Sequence, residues 1–106
     1  MPNRGQRTLQ GGPAAYLRSG KWPDGPLLAN APVAAYWSAE ISRRLAVALE
    51  GRSKTETAQT LGMARSTLYD ILSGAKWPDL VTISALEELF EVELWPRWGV
   101  GRTSDP

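Results

Sequence analysis

The sequence predicts an all-α fold, a compact domain of four to five helices preceded by a flexible basic N-terminal arm. Apolar residues recur at spacings of three and four from residue 33 onward, which is the period of amphipathic helices. Glycines follow three of these runs, and Ser or Asp precedes two of them, as at the ends of helices. The first 32 residues instead contain a "GG" pair followed by four prolines and no long apolar period, which indicates weak structure.

The composition excludes several classes of protein. A chain of 106 residues, 42% apolar and 22% charged, fits one globular domain with a modest core. It contains no cysteine and no histidine, which excludes disulfides, thiolate or imidazole metal ligands and the most common general base. We expect no cofactor, no metal and no enzymatic activity. The sequence has no membrane-spanning run and no apolar signal core at its N-terminus, which predicts a cytoplasmic protein without a membrane partner.

The first long helix is predicted at residues 34–50. Trp37, Ile41 and Leu45 lie four residues apart, so they share one face of a helix. Gly51 ends this pattern. Upstream, the stretch "PAAYLRS" would form one short additional helix, which Gly20 would end.

The second helix is predicted at residues 54–61 and begins with a capping box. In "SKTE" the Ser53 hydroxyl can accept a hydrogen bond from the amide of Glu56, while the Glu56 carboxylate can accept one from the Ser53 amide. Gly62 then provides a C-terminal stop, so this helix is short.

The third and fourth helices are predicted at residues 65–73 and 80–91, joined by the connector "SGAKWPD". Gly74 ends the third helix, and Asp79 is a good N-cap for the fourth. A near-copy, "SGKWPD" at residues 19–24, has no such helices around it. It is either a chance recurrence of turn-forming residues or part of a basic arm. The predicted core comprises Trp37, Ile41, Leu45, Ala58, Leu61, Leu68, Ile71, Ile83, Leu86 and Phe90.

The second and third helices, with a glycine-bearing turn between them, form the helix-turn-helix arrangement. Ala58 is small where the two helices cross, and Met63 can fill the turn. With its continuation into "SGAKWPD" and "LVTISALEELFEV", the stretch "KTETAQTLGMARSTLYDIL" resembles the lambda-repressor/Cro-like (XRE-type) DNA-binding family over residues 36–94. Two positions depart from the family pattern. Thr57 stands where an apolar residue is usual, and Ala64 stands where a Ser or Thr N-cap is usual.

The resemblance implies a sequence-specific regulator of transcription, repressor-like and of bacterial or phage origin. Such a protein binds double-stranded DNA with its third helix in the major groove. Basic residues predominate between positions 43 and 77 and acidic residues between 79 and 97, which favours a molecule with one side toward a polyanion. The alternative is an antitoxin or other partner-binding module, with a protein partner held by the fourth helix or the tail and the helix-turn-helix used for autoregulation. In either case we expect a nucleoid-associated protein.

Base contacts are expected from the exposed side of the third helix. Arg65 lies at its N-terminal end and can pair bidentately with guanine, although a phosphate contact is the alternative. The Asp70 carboxylate either accepts a hydrogen bond from cytosine N4 or holds Arg65 or Tyr69 in place. The base-contact candidates are Arg65, Ser66, Thr67, Tyr69 and Asp70.

Phosphate contacts are expected at the start of the second helix and along the connector. The candidates there are Lys54, Thr55, Ser73, Lys76 and Trp77, with core packing as the alternative for Trp77. Residues 1–32 contain four basic residues and one acidic residue, a net charge of +3, which suits an arm that lies along DNA. The arm candidates are Arg4, Arg7, Lys21 and Trp22.

These patterns divide the chain into a largely irregular N-terminal arm (1–32), a helix-turn-helix domain (33–98) and a flexible C-terminal tail (99–106). One recognition helix reads only a few base pairs, so a homodimer is expected on DNA. The apolar residues after the fourth helix either form a dimer contact or pack back onto the first helix near Trp37. They are Leu94, Trp95, Trp98 and Val100.

Overall fold

A computed structural model describes residues 11–96 of the chain, and this part is helical. Its elements are a 3-10 helix at Pro13–Tyr16 and four α-helices, α1 at Val33–Ala48, α2 at Lys54–Leu61, α3 at Arg65–Ser73 and α4 at Leu80–Phe90. One isolated antiparallel bridge pairs Leu17 with Leu27. The predicted all-α fold is confirmed, and the four predicted helices agree with the observed ones to within two residues at each end.

The helix ends follow from local hydrogen bonds that the sequence encodes. The Ser53 hydroxyl accepts a hydrogen bond from the Glu56 amide (3.1 Å) at the start of α2. At the start of α4, one carboxylate oxygen of Asp79 accepts from the Thr82 amide (2.8 Å) and the other from the Thr82 hydroxyl (2.9 Å). No side chain caps α3, which begins directly after Ala64. Its start is therefore fixed by packing against α2 and not by a local cap.

The core is formed by residues of all four α-helices and is extended by one residue beyond the last helix. Seven of the predicted core residues are buried, namely Ile41, Leu45, Ala58, Leu68, Ile71, Ile83 and Leu86. The other three are only partly buried. Leu61 and Phe90 pack against the margin of the core, and the guanidinium of Arg52 covers the Phe90 ring at 4.7 Å from its centroid. Leu94, which was not among the predicted core residues, is fully buried in this cluster.

Thr57 places a hydroxyl inside the fold, and this hydroxyl is hydrogen-bonded. The residue is buried, and its hydroxyl donates to the Ser53 carbonyl (2.9 Å) one turn earlier in the chain. A buried hydroxyl costs little when it is hydrogen-bonded. The departure of Thr57 from the usual apolar residue is thus accommodated within α2 itself.

Residues 11–32 pack on the helical domain, so the prediction of a flexible arm is wrong for this range. Pro13 is fully buried. The Ala14 amide donates to the Gly74 carbonyl (3.0 Å), and the Trp77 indole donates to the Gly11 carbonyl (3.1 Å). The predicted boundary at residue 32 therefore falls inside one folded unit. The physical reason is that the apolar and backbone groups of this segment find partners far away in sequence, which local composition does not reveal.

The segment after α4 folds back onto the same domain. The Glu87 carboxylate accepts hydrogen bonds from the amides of Leu94 (2.7 Å) and Trp95 (2.9 Å). The Arg44 guanidinium donates to the Trp95 carbonyl (3.2 Å), which ties this segment to α1. Of the two alternatives for Leu94 and Trp95, packing within the chain is the observed one. Trp98, Val100 and the predicted tail at 99–106 lie outside the described residues.

A group of ion pairs centred on Glu40 joins the N-terminal segment to α1. Glu40 pairs with Arg43 (3.1 Å) and Arg44 (2.9 Å), and Arg43 also pairs with Asp24 (3.4 Å) and donates to the Pro23 carbonyl (2.9 Å). Partial burial would raise the pKa of Glu40. The hydrogen bonds and charges of Arg44 and Arg43 outweigh it and hold that pKa below its ordinary value.

Candidate nucleic-acid interface

α2 and α3 form the predicted helix-turn-helix. Gly62 ends α2 in the left-handed region (φ 68°), and the Met63 amide donates to the Ala58 carbonyl (2.9 Å) across the turn. Ala58 is buried where the helices meet. Leu68 and Ile71 are buried on the inner side of α3, which leaves the opposite side of this helix in solvent. The outer positions of α3 include Ser66, Tyr69 and Ser73, all exposed.

A cluster of two cations and one aromatic ring joins the N-terminal ends of α2 and α3. The Lys54 ammonium lies 5.8 Å from the centroid of the Tyr69 ring, and the Arg65 guanidinium carbon lies 5.9 Å from it. Both distances allow a cation–π attraction. The Arg65 guanidinium also reaches the Thr55 hydroxyl at 3.5 Å. The structure thus brings together Lys54, Thr55, Arg65 and Tyr69, which the sequence predicted separately as phosphate and base contacts.

Asp70 has a different partner from those considered for it. Its carboxylate lies 3.8 Å from the Lys76 ammonium, so it pairs with the connector and not with the N-terminal end of α3. The Asp70 carbonyl also accepts from the amides of Ala75 (2.9 Å) and Lys76 (3.3 Å). The Lys76 side chain is 73% exposed, and such a pair contributes little to stability. Lys76 can therefore exchange Asp70 for a phosphate at small cost.

Trp77 packs within the fold, which was the alternative to a phosphate contact. Its indole N–H donates to the Gly11 carbonyl, and its ring meets the edge of Tyr16 with centroids 6.2 Å apart. The indole donor is therefore engaged by the N-terminal segment. Near it, Ser73 and Lys76 are exposed. Thr67 is half-buried and Ser66 exposed, so of these two base-contact candidates Ser66 is the more accessible.

The four arm candidates differ in their surroundings. Lys21 is exposed, as a phosphate contact requires. Trp22 is not available for the contact predicted for it, because its indole N–H donates to the Ser42 hydroxyl (2.9 Å) and its ring lies against Gly74. Arg4 and Arg7 lie outside the described residues.

Sequence reasoning missed Ser42, a buried serine on α1 that contacts both the N-terminal segment and α3. Its hydroxyl accepts from Trp22 and donates to the Ile71 carbonyl (2.7 Å). A signal was present in the sequence. Ser38 and Ser42 lie four residues apart beside the apolar residues Ile41 and Leu45, and both are buried. Polar residues on the inner side of a helix predict hydrogen-bonded partners in the core.

The comparisons with known proteins agree with this geometry. A family model described as helix-turn-helix matches residues 42–94, from the middle of α1 to the residue that closes the core after α4. No curated protein and no solved structure matches the chain. Within residues 11–96, none of the helices has the length and apolar character needed to cross a membrane. The match covers half of the chain and includes every residue of α2, α3 and α4, and the chain therefore belongs to the lambda-repressor/Cro-like (XRE-type) helix-turn-helix family of DNA-binding regulators.

Proposed function

We propose that this protein is a sequence-specific, repressor-like regulator of transcription that reads double-stranded DNA with α3 in the major groove. The observation that carries the proposal is the cluster of Lys54, Arg65 and Tyr69 on the solvent-facing side of α3, toward its N-terminal end. In helix-turn-helix proteins this end of the recognition helix meets the base edges. The cluster places cationic donors and an aromatic surface at that position.

The proposed roles follow from the chemistry of each side chain. Arg65 pairs bidentately with guanine O6 and N7, and Tyr69 lies beside it against the neighbouring base. Ser66, Thr67 and Asp70 lie along the same helix and complete the base-contacting set. Lys54 and Thr55, at the N-terminus of α2, bind the phosphate backbone, where the helix dipole adds to the charge.

The connector and the N-terminal segment provide the second group of backbone contacts. Ser73 and Lys76 are exposed just beyond the recognition surface, and Lys21 is exposed in the segment that packs on this connector. Phosphate contacts of this kind position a protein on the duplex without reading sequence. Three acidic residues on or after α4, Glu88, Glu91 and Glu93, are exposed as well.

Selection of bound duplexes from a random DNA pool tests this function. A regulator of the proposed kind enriches one motif, and binding to that motif weakens as salt concentration rises because phosphate contacts release counterions. The matched control is the Arg65→Ala variant, which should remain folded and should enrich a motif with relaxed preference at one base pair. A pool that stays random after repeated selection would contradict the proposal.

We further propose that the protein binds its site as a homodimer, because a single recognition helix reads too few base pairs for useful specificity. Leu94 and Trp95 are engaged within their own chain, so the dimer contact is expected on other surfaces. A two-fold symmetric selected motif with two chains per duplex in sedimentation is the expected result. One chain per site on a motif without symmetry would contradict it.

A further inference from the structure

Trp22 lies outside the region that matches the family model, yet it contacts the end of the recognition helix through two hydrogen bonds in series. Its indole N–H donates to the Ser42 hydroxyl (2.9 Å), and that hydroxyl donates to the carbonyl of Ile71 (2.7 Å). Ile71 belongs to the last turn of α3, and its carbonyl also accepts from the amide of Gly74, the residue that ends this helix (3.3 Å). Ser42 is buried, as is its bond to the Ile71 carbonyl, and the bond from Trp22 is partly buried.

The same segment also fills the space around the end of α3. Gly74 follows α3 with a φ of 76°, and a Cβ at this position would lie 2.7 Å from Cδ2 of Trp22 and 2.8 Å from the Cβ of Ala14. Gly12 approaches the connector still more closely, since a Cβ there would lie 2.2 Å from the carbonyl carbon of Ala75. Backbone therefore packs directly on backbone at this junction.

These contacts give α3 two separate supports. The turn at Gly62 and Met63 fixes its N-terminal end against α2. Its C-terminal end, and the connector with Lys76, are fixed by residues 11–22 and by Ser42 of α1. A recognition surface must be held within a fraction of an ångström to make bidentate base contacts. The orientation of α3 thus depends on both supports.

We propose that Trp22 is a positioning residue for DNA recognition, acting through Ser42 and Gly74 to set the orientation of α3 and its connector. The inference rests on the proposed DNA-reading function. It makes residues 11–22 part of the DNA-reading unit without any contact between Trp22 and DNA.

The proposal also accounts for the two near-copies of one motif. The tryptophan of the first copy packs on the glycine of the second, and Trp77 of the second copy donates to the carbonyl of Gly11 in the N-terminal segment. The two stretches are therefore the two sides of one junction.

The Trp22→Phe variant tests the proposal because it keeps an aromatic ring and removes the N–H donor. Its affinity for the selected motif should fall by up to about tenfold, the equivalent of one net hydrogen bond. Affinity for non-specific DNA and its salt dependence should be unchanged, because no phosphate contact is lost. Ser42→Ala should behave in the same way. The double variant should bind the selected motif no more weakly than the single variant of lower affinity, since both changes break one series of bonds.

The control is Phe90→Leu, an uncharged change on α4 at the margin of the core. All measurements are made well below the unfolding midpoints, so that each variant is fully folded. If Trp22→Phe lowers the midpoint as Phe90→Leu does and leaves the ratio of specific to non-specific affinity unchanged, Trp22 has only a structural role and the proposal is overturned. An equal loss on specific and non-specific DNA would overturn it too, in favour of a backbone contact.

Hydrogen exchange separates failure of this inference from failure of the proposed function. In Trp22→Phe the amides of Gly74, Ala75 and Lys76 should exchange faster than in Phe90→Leu, with or without DNA. If the wild-type protein selects no motif but this exchange pattern appears, the proposed function fails while the positioning of α3 by Trp22 stands. If exchange at these three amides is the same in both variants, the positioning fails by itself.

Discussion

Replacing Gly74 by alanine should destabilise the protein by about 2–5 kcal/mol, and replacing Gly62 should cost about 1–2 kcal/mol. The two glycines follow α3 and α2 in almost the same conformation, with φ values of 76° and 68°. At both positions alanine would have to adopt the left-handed conformation, which costs about 1–2 kcal/mol. The comparison therefore removes the conformational contribution and leaves the effect of packing.

The packing difference is large because the surroundings differ. A Cβ at Gly62 would meet no atom within 4 Å, whereas at Gly74 it would lie 2.7 Å from a ring carbon of Trp22 and 2.8 Å from the Cβ of Ala14. Neither neighbour is the end of a flexible side chain, so the segment must move. Such overpacking typically costs about 1–3 kcal/mol, and this is the expected difference between the two variants.

Denaturant unfolding measures both changes, provided that the slope of the free energy against denaturant concentration stays constant. A double-mutant cycle with Trp22→Ala then isolates the ring contact, because Gly74→Ala should cost less once the ring is gone. Equal destabilisation by Gly74→Ala and Gly62→Ala would refute the reasoning, since it would mean that residues 14–22 do not pack on the end of α3 in solution.

Four further changes test the interface and its support. Arg65→Ala should weaken specific binding by about 1–3 kcal/mol and relax preference at one base pair, whereas an equal loss on non-specific DNA would make Arg65 a phosphate contact. Lys54→Ala should weaken binding to all sequences and reduce the salt slope by about one unit, and an unchanged slope would exclude a phosphate role. Deleting residues 1–25 should lower the thermal midpoint by about 10 °C or more, because it removes the packing on Gly74 and Ser42; an unchanged midpoint would restore the flexible-arm interpretation. Glu40 has a folded-state pKa below its ordinary value of 4.5, so its contribution to stability is full above that value and is lost as the pH falls through the folded-state pKa. Glu40→Gln should flatten this acidic limb of the stability profile, and an unaltered limb would show that the ion pairs with Arg43 and Arg44 contribute nothing.

The helices could be predicted from the sequence because their signals are local. Ser53 and Asp79 accept hydrogen bonds from amides three residues later, and Gly62 and Gly74 end their helices by their own backbone conformation. The proximity of Lys54 and Arg65 at the start of α2 and α3 also follows from a local motif, since the helix-turn-helix brings them to neighbouring positions. In each case a few residues of sequence determine the outcome.

The N-terminal segment could not be predicted by the same means. Its prolines and glycines give no period, and its order depends on partners 20 to 66 residues away, such as Ser42 for Trp22 and Trp77 for Gly11. The partner of Asp70 escaped prediction for a related reason. Whether the Asp70 carboxylate pairs with Arg65 or with Lys76 depends on how the connector turns after α3. That turn is set by Gly74 and the packing around it.

The hydrogen bond between Trp77 and Gly11 also has a consequence for the order in which the protein folds. It closes a loop of 66 residues, whereas α1 to α4 are joined by short turns. Local contacts form quickly in helical domains, and closing a long loop carries an entropic cost that is recovered only after the rest of the chain is compact. We expect the four helices to assemble first and residues 11–22 to dock last. During synthesis these residues leave the ribosome before the helices they contact, and they must wait for α3 to be made before the DNA-reading surface is complete.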